Sequence, residues 1–275
     1  MKTRLFYILS AAALSLAVSS CTKKFDPSSY APALNIGGYT SSKEVASASL
    51  VAHWAFDGSL IDSVSKVSGV STSTSFAAGT KGNALQGSSA GYVVSDTPTE
   101  VQKLKSFTTT LWFNSELNTG ATGLIDIANS AAGWGNLVIF LENGGDADNG
   151  VIQFRVNNNG VLTQSENFKV PGIWKKWTHL ALSYDQVSST FIIYINGGKL
   201  KALTVPNNGP LTFQNATKMV FGTLQFQTTP SLTTAGNKES WAANLTGKLD
   251  EVRIYNKALT ADEIGALSKL ESKGK

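Results

Sequence analysis

From Ser47 onward, apolar residues fall on every second position in short runs, and each run ends in Gly, Asn, Asp or Ser. A period of two puts alternate side chains on opposite faces of an extended chain, so the pattern predicts strands with a buried face. Leu50, Ala52, Trp54 and Phe56 form the first such row before Asp57-Gly58 breaks it. Phe107, Thr109, Leu111 and Phe113 form another, and Thr178, Leu180, Leu182 and Tyr184 a third. Phe191 to Ile195 is continuously apolar and runs into Asn196-Gly197-Gly198, residues that tolerate the positive φ of a tight hairpin. Further strands are predicted over 83–86, 91–94, 122–127, 136–141, 150–156, 161–165, 199–205 and 217–223. About a dozen short strands and one late helix make an all-β sandwich or barrel. No repeat at a solenoid or propeller period interrupts the pattern, so residues 47–275 are expected to form one domain.

The late helix follows directly on a strand. In Leu249 to Tyr255, simple alternation sets Leu249, Arg253 and Tyr255 on one face and Asp250, Val252 and Ile254 on the other. A carboxylate beside Val252 and Ile254 would need a hydrogen-bond donor, a base or a cation, because an isolated buried charge is very costly. Thr260 and Glu263 then stand at capping-box spacing, and Ile264, Leu267 and Leu270 give the helix one apolar face.

The N-terminus reads as a processing signal. Lys2 and Arg4 precede an apolar stretch, Leu5 to Val18, that ends at Val18-Ser19-Ser20-Cys21 with the chain's single cysteine. This resembles a bacterial lipobox, in which cleavage before the cysteine accompanies lipid attachment to its sulfur. Residues 1–20 would be the signal peptide and Cys21 the lipidation site. Residues 21–46, polar and aperiodic, would be a tether between lipid and domain. Removing residues 1–20 takes away two bases and no acid, which lowers the formal charge from +4 to +2. With no Lys/Arg cluster interleaved with aromatics, nothing points to a nucleic-acid partner. Thr22 does not resemble the aspartate linked to inner-membrane retention, so an outer-membrane lipoprotein is expected, on the periplasmic or cell-surface face.

Several motifs stand in a recognisable order. His53-Trp-Ala-Phe-Asp-Gly58 is followed by Asp62-Ser63, Gly79-Thr-Lys-Gly-Asn-Ala-Leu85 and Phe107-Thr-Thr-Thr-Leu-Trp-Phe113. Trp177-Thr-His-Leu-Ala-Leu-Ser-Tyr-Asp185, Ile193-Tyr-Ile-Asn-Gly-Gly198 and Leu249-Asp-Glu-Val-Arg-Ile-Tyr255 complete the series. The series resembles the laminin-G-like branch of the concanavalin A-like lectin/glucanase superfamily over residues 47–270. The resemblance implies a jelly-roll sandwich of two antiparallel sheets.

It also implies where ligands could sit. In many relatives a structural Ca2+ bridges the loop after the first strand and the start of the last. The matching acids here are Asp57 and Asp250, with Asp62 a weaker third, and Ca2+ prefers such oxygen ligands. The competing reading is that Asp57 caps a Gly turn and Asp250 pairs with Lys248 or Arg253. For a glycan, aromatic faces and amides are the expected contacts. Trp134 and Trp241 lie in loop-like surroundings, while Asn136, Asn158, Gln225 and Gln227 could supply amides; either tryptophan could instead fold back on the sandwich rim. Trp54, Trp112 and Trp177 fit the strand pattern and are expected in the core.

Glucanases of the superfamily carry two glutamates around an aspartate on one strand, which brings an acid and a nucleophile to about 5 Å. Here Leu124-Ile-Asp-Ile127 holds a lone acid, and alternation points Asp250 and Glu251 to opposite faces. His53 and His179 lie within strands, beside no nucleophile motif. The expectation is a lipid-anchored, non-catalytic glycan-binding protein. The alternatives are a glycoside hydrolase or lyase with a dispersed acid pair, and a protein-binding adhesion module.

Overall fold

The alternating segments pair into two sheets packed face to face in a jelly-roll sandwich, as a computed structural model of residues 34–275 shows. Cys21, the expected signal over 1–20 and the first part of the expected tether lie outside the described residues. The eight-stranded sheet runs β14 (Gly198–Thr204), β13 (Thr190–Ile195), β12 (Thr178–Asp185), β6 (Phe107–Asn114), β17 (Lys248–Tyr255), β4 (Asn83–Gln86), β3 (Ser75–Ala78), with β1 (Leu50–Trp54) also on β17. The nine-stranded sheet runs β10 (Val161–Gln164), β9 (Asn149–Asn158), β8 (Leu137–Leu141), β7 (Ala121–Ile127), β15 (Lys218–Phe221), β5 (Tyr92–Asp96), β2 (Gly69–Thr72). β11 (Phe168–Pro171) joins β9, and β16 (Ala242–Ala243) lies parallel on β7; the other pairings between these strands are antiparallel.

The core forms between the sheets because each strand turns its apolar row inward. Leu111, Phe113, Leu180 and Leu182 face Ile139, Leu141, Phe154 and Val156, all fully or almost fully buried. Trp54 and Phe56 set their rings edge-on to Phe221 at 5.0 and 5.5 Å. Each such large side chain contributes about 1.5–3 kcal/mol on burial. The hairpin at Asn196-Gly197 has positive φ at both residues, 51° and 79°, as its sequence requires.

Four strands are unexpected: β11, which buries Phe168 and Val170 in the core, the two-residue β16, and β2 and β3. β2 and β3 are short and mostly exposed, and with little apolar surface to bury they carry no alternation to read. A one-turn helix, α1 (Thr99–Gln102), is too short to show a helical period. Residues 35–46, expected to belong to the tether, instead pack on the domain, since Asn35–Lys275 form one unit. Ser42 is buried, donating to the Lys275 carbonyl at 2.7 Å and accepting from Arg253 at 3.2 Å.

The helix α2 (Ala261–Glu271) forms as its sequence directs. Glu263 N donates to Thr260 Oγ1 at 3.2 Å and Thr260 N to Glu263 Oε2 at 2.8 Å, closing the capping box. Ile264, Leu267 and Leu270 are buried. α2 lies on the outward face of the eight-stranded sheet, where Glu271 meets Trp112 and Arg253. Among the described residues no helix is long and apolar enough to cross a membrane.

β17 departs from simple alternation. A β-bulge shifts its register between Asp250 and Arg253, with Glu251 at φ 47°. The extra residue leaves Leu249, Val252 and Ile254 in the core together. Asp250 is therefore not on the face of Val252 and Ile254; it pairs across from Trp112 on the outward side. Glu251 also points outward, to His53 and Arg253, so the two acids share a side.

Candidate functional site

Beneath α2, the outward face of the eight-stranded sheet holds a closed ionic network. Arg253 is wholly buried; its Nη2 donates to Glu251 Oε2 and its Nε lies 2.8 Å from Glu271 Oε1. Glu251 Oε2 also contacts His53 Nε2 at 3.0 Å, and Trp112 Nε1 donates to Glu271 Oε2 at 2.8 Å. The His53 bond and Arg253 outweigh burial and hold the Glu251 carboxyl down at about 2. Trp112, expected in the core, is on this outward face, its ring tilted at 60° to that of His179 with centroids 5.2 Å apart. Burial pushes His179 down to about 3, so the ring is neutral. Trp177, also expected in the core, is half-buried and lines a groove of about 590 Å³ with Gly79, Thr80, Trp112 and Lys269.

At one end of this face, the bulge brings Asp250 to the turn Gly79–Asn83. Its Oδ2 accepts from Thr80 N at 2.7 Å and Lys81 N at 3.0 Å. Asp57, one strand end away, accepts at Oδ1 from Asn83 N at 2.6 Å. A Cβ on Gly79 would lie 2.5 Å from Asp250 Oδ2, and one on Gly82 2.0 Å from Asp57 Oδ1. The two glycines thus let two carboxylates, 193 positions apart in the chain, converge on one turn. Asp250 Oδ1 is buried without a hydrogen-bond partner, and burial pushes its carboxyl up to about 7. Neither Lys248 nor Arg253 pairs with it.

That donor set suits a hard cation. Two carboxylates and a tight turn offer oxygen ligands, and a cation would relieve the unpartnered Oδ1. Among the described residues, however, no group of three or more Asp, Glu, His or Cys is gathered at metal-holding spacing. Asp62 is a poor third ligand. Its Oδ1 accepts from His53 N and Val64 N, and its Oδ2 from Ser65 N and Ser65 Oγ, so its lone pairs shape the 62–67 turn.

The outward face of the nine-stranded sheet has no covering helix and a different chemistry. Because Ile139, Leu141, Phe154 and Val156 face the core, Phe140 and Arg155 between them face out. The loop after β7 lays Trp134 over Phe140, centroids 5.5 Å apart, and the segment before β16 brings Trp241 against Trp134 at 6.0 Å. Phe226 closes the group edge-on to both indoles at 5.5 Å. The Arg155 guanidinium carbon sits 3.5 Å from the Trp134 centroid. Trp134 is half-buried under it, whereas Trp241 remains 40% exposed. A cleft of about 350 Å³ opens beside Trp241, lined by Lys238, Glu239, Ser240 and Asn244.

The structure thus brings together the two tryptophans picked out in the sequence. The amides take another part. Asn136 is buried, donates to the Ala128 and Gln214 carbonyls and accepts from Gln214 N. Gln225 is buried, accepts from Asn129 N at 2.7 Å and donates to Ala132 O at 2.6 Å. Both hold the loop that carries Trp134. Gln227 exchanges bonds with Glu239 and donates to Ala242 O, holding the segment of Trp241. Asn158 is committed to Asn208 O and Thr212 N. Arg155 on this face escapes a reading of the sequence; the available signal is a lone basic residue between the core residues Phe154 and Val156.

Asp126 lies on the same outward side of β7, fully buried under these loops. Gln225 N donates to its Oδ2 at 2.8 Å, its Oδ1 has no partner, and burial pushes its carboxyl up to about 7.

A model of the Laminin_G_3 family, described as concanavalin A-like lectin/glucanases superfamily, matches residues 86–265. The chain matches no curated protein. Among solved structures it is similar to domain 4 of AbnA, a GH43 extracellular arabinanase from Geobacillus stearothermophilus solved with arabinotriose. The TM-score is 0.57 at 23% identity, over 80% of this chain and 98% of that one. It is also similar to botulinum neurotoxin type C, described as depending on two ganglioside molecules to enter cells, with TM-score 0.61 at 15% identity over 82% of this chain and 51% of that one. The binding domain of botulinum neurotoxin DC, solved with rat synaptotagmin II, gives 0.59 at 14% over 83% and 52%. The chain spans about half the length of these two toxin chains. At such identities the likeness is one of fold.

Proposed function

The chain belongs to the Laminin_G_3 family of the concanavalin A-like lectin/glucanase superfamily, and from that premise we propose that it is a non-catalytic carbohydrate-binding protein. The observation that carries the reading is the gathering of Trp134 and Trp241 from separate loops onto one uncovered sheet face. A pyranose offers an apolar face to an exposed indole, and Trp241 is the ring left free to receive it. The loops beneath are held by their own amides, so the indoles are pre-ordered and little entropy is lost on binding. Arabinotriose and ganglioside ligands on similarly folded proteins are compatible with this reading.

Affinity electrophoresis of the chain through gels containing a panel of polysaccharides tests it. At least one polymer should retard the wild type, and Trp241→Ala should weaken that retardation tenfold or more, a loss of about 1.4 kcal/mol. Retardation on no polymer would sink the glycan reading. Loss with Trp177→Ala in place of Trp241→Ala would move the site to the groove beside α2. Release of reducing ends from the gels would move the chain into the hydrolase or lyase class.

Two further parts of the proposal rest on sequence motifs. Asp57 and Asp250 would hold a structural Ca2+ on the Gly79–Asn83 turn. The lipobox at Cys21 supports attachment to the outer membrane through lipid. Labelled palmitate should enter the wild-type chain and not Cys21→Ser; equal labelling of both would remove the anchor.

A further inference from the structure

Arg155 stands out among the charged groups that are partly withdrawn from water. Removing a guanidinium from water is costly, and such charges are normally paired. Arg253 on the opposite face obeys this, with two glutamates. Arg155 is half-buried, and burial lowers its pKa, yet among the described residues no carboxylate lies within 4.0 Å of it. Its Nε donates to Gln153 Oε1 at 3.2 Å, and Gln153 is in turn held by Asn167 at 2.6 Å. Its Nη groups donate to no protein acceptor among the described residues. The ring faces of Trp134, at 3.5 Å, and Phe140, at 5.5 Å, fix the plane of the guanidinium. A cation–π contact leaves the in-plane N–H donors of that plane unused.

We propose that the ligand of this face is an acidic glycan, a chain bearing uronate carboxylates, and that Arg155 binds the carboxylate while Trp241 takes the apolar face of a neighbouring sugar. The inference rests on the glycan reading above and narrows it. A planar fork of N–H donors matches a carboxylate bidentately, which a lysine cannot do. Stacking on Trp134 orders the fork in advance, so the side-chain entropy that a free arginine would lose on binding is already lost. Glu142 is the acid whose field reaches Arg155, and it would oppose an anion. Its Oε1 is taken by Asn143 N at 2.7 Å, which turns it toward its own loop. A neutral glycan would find in Arg155 only a donor to hydroxyls and would leave the charge uncompensated.

Calorimetry with the full chain and short oligogalacturonates tests this, set against the same oligomers methyl-esterified and against neutral galactan oligomers. The wild type should bind the free acid at least tenfold more tightly than the ester. Arg155→Gln should abolish that preference, and Arg155→Lys, which keeps charge and loses the fork, should retain only a small part of it. Esterifying the ligand leaves the protein untouched, so the result does not depend on how well a variant folds. Equal binding of acid and ester, or an Arg155→Lys variant with the full preference, overturns the carboxylate reading. Binding of neutral oligomers alone also overturns it and leaves the glycan reading standing; binding of no oligomer and no polymer removes both.

Discussion

The two outward faces of the sandwich carry buried charge in different ways. Under α2, on the eight-stranded sheet, Arg253 meets Glu251 and Glu271, Glu251 meets His53, and Glu271 accepts from Trp112. Each charge has a partner of opposite sign within the protein, and a helix seals the network from water. On the nine-stranded sheet, Arg155 lies over Trp134 with no carboxylate of its own, and Trp241 stays exposed beside it. Beneath the helix the charges compensate one another, and only Asp250, at the end of that face, keeps an unpartnered oxygen. The nine-stranded face instead carries a ring-ordered cation with no carboxylate within 4.0 Å among the described residues, and on the proposed function that difference separates an internally satisfied network from a surface suited to an anionic ligand.

The contrast has a large signature in stability. Glu251→Ala should cost about 3–5 kcal/mol, because the buried Arg253 is left with Glu271 alone and His53 loses its hydrogen-bond partner. Arg155→Ala should cost about 0.5–2 kcal/mol, the worth of a partly desolvated cation–π contact. Urea-midpoint shifts at constant slope measure both. Equal costs for the two variants would erase the distinction between the faces.

A smaller effect comes from acids that break the pattern on each side. Asp126 and Asp250 are both pushed up to about 7 by burial, each with one bonded and one unpartnered oxygen. For Asp126 the unfolded chain loses its proton near the ordinary aspartate value, while the folded chain keeps it to about 7. Between those limits the folded state binds more protons, so this contribution to stability falls as pH rises through the window and is flat above it. Glu251 has the opposite sign. Its stabilisation is present above the ordinary glutamate range and disappears as pH falls toward about 2, outside this window. Asp126→Asn should therefore lose about 2–4 kcal/mol less than wild type between pH 4.5 and 8. Parallel pH profiles for the two proteins would mean that Asp126 finds a partner in solution.

Much of this was legible in the sequence wherever a residue's type and its period agreed. The rows Leu50–Phe56, Phe107–Phe113 and Thr178–Tyr184 became strands because one face had a core to meet. Thr260 and Glu263 capped their helix because the interaction is local. What failed was non-local. The bulge at Glu251 reverses the side of Asp250, and no alternation rule registers an added residue. Asn136 and Gln225 looked like ligand amides but satisfy loop backbone, a demand visible only once the loops are folded. Trp134 and Trp241 were found as loop aromatics, while Arg155 gained its meaning from the ring laid over it.

The sharpest test of what the two odd carboxylates share, and where they part, is calcium. Asp250 stands with Asp57 on a turn whose glycines admit both, whereas Asp126 has Gln225 and no second acid. A cation should therefore stabilise through Asp250 and ignore Asp126. Because Ca2+ would bind the native state only, a concentration of a hundred times Kd should add about 2.7 kcal/mol, and EDTA should lower the melting temperature accordingly. Asp57→Ala and Asp250→Asn should each abolish the response, and Asp126→Asn should leave it intact. A wild-type melting temperature indifferent to EDTA would leave Asp57 and Asp250 as caps of the Gly79–Asn83 turn, with Asp250 protonated in the same manner as Asp126.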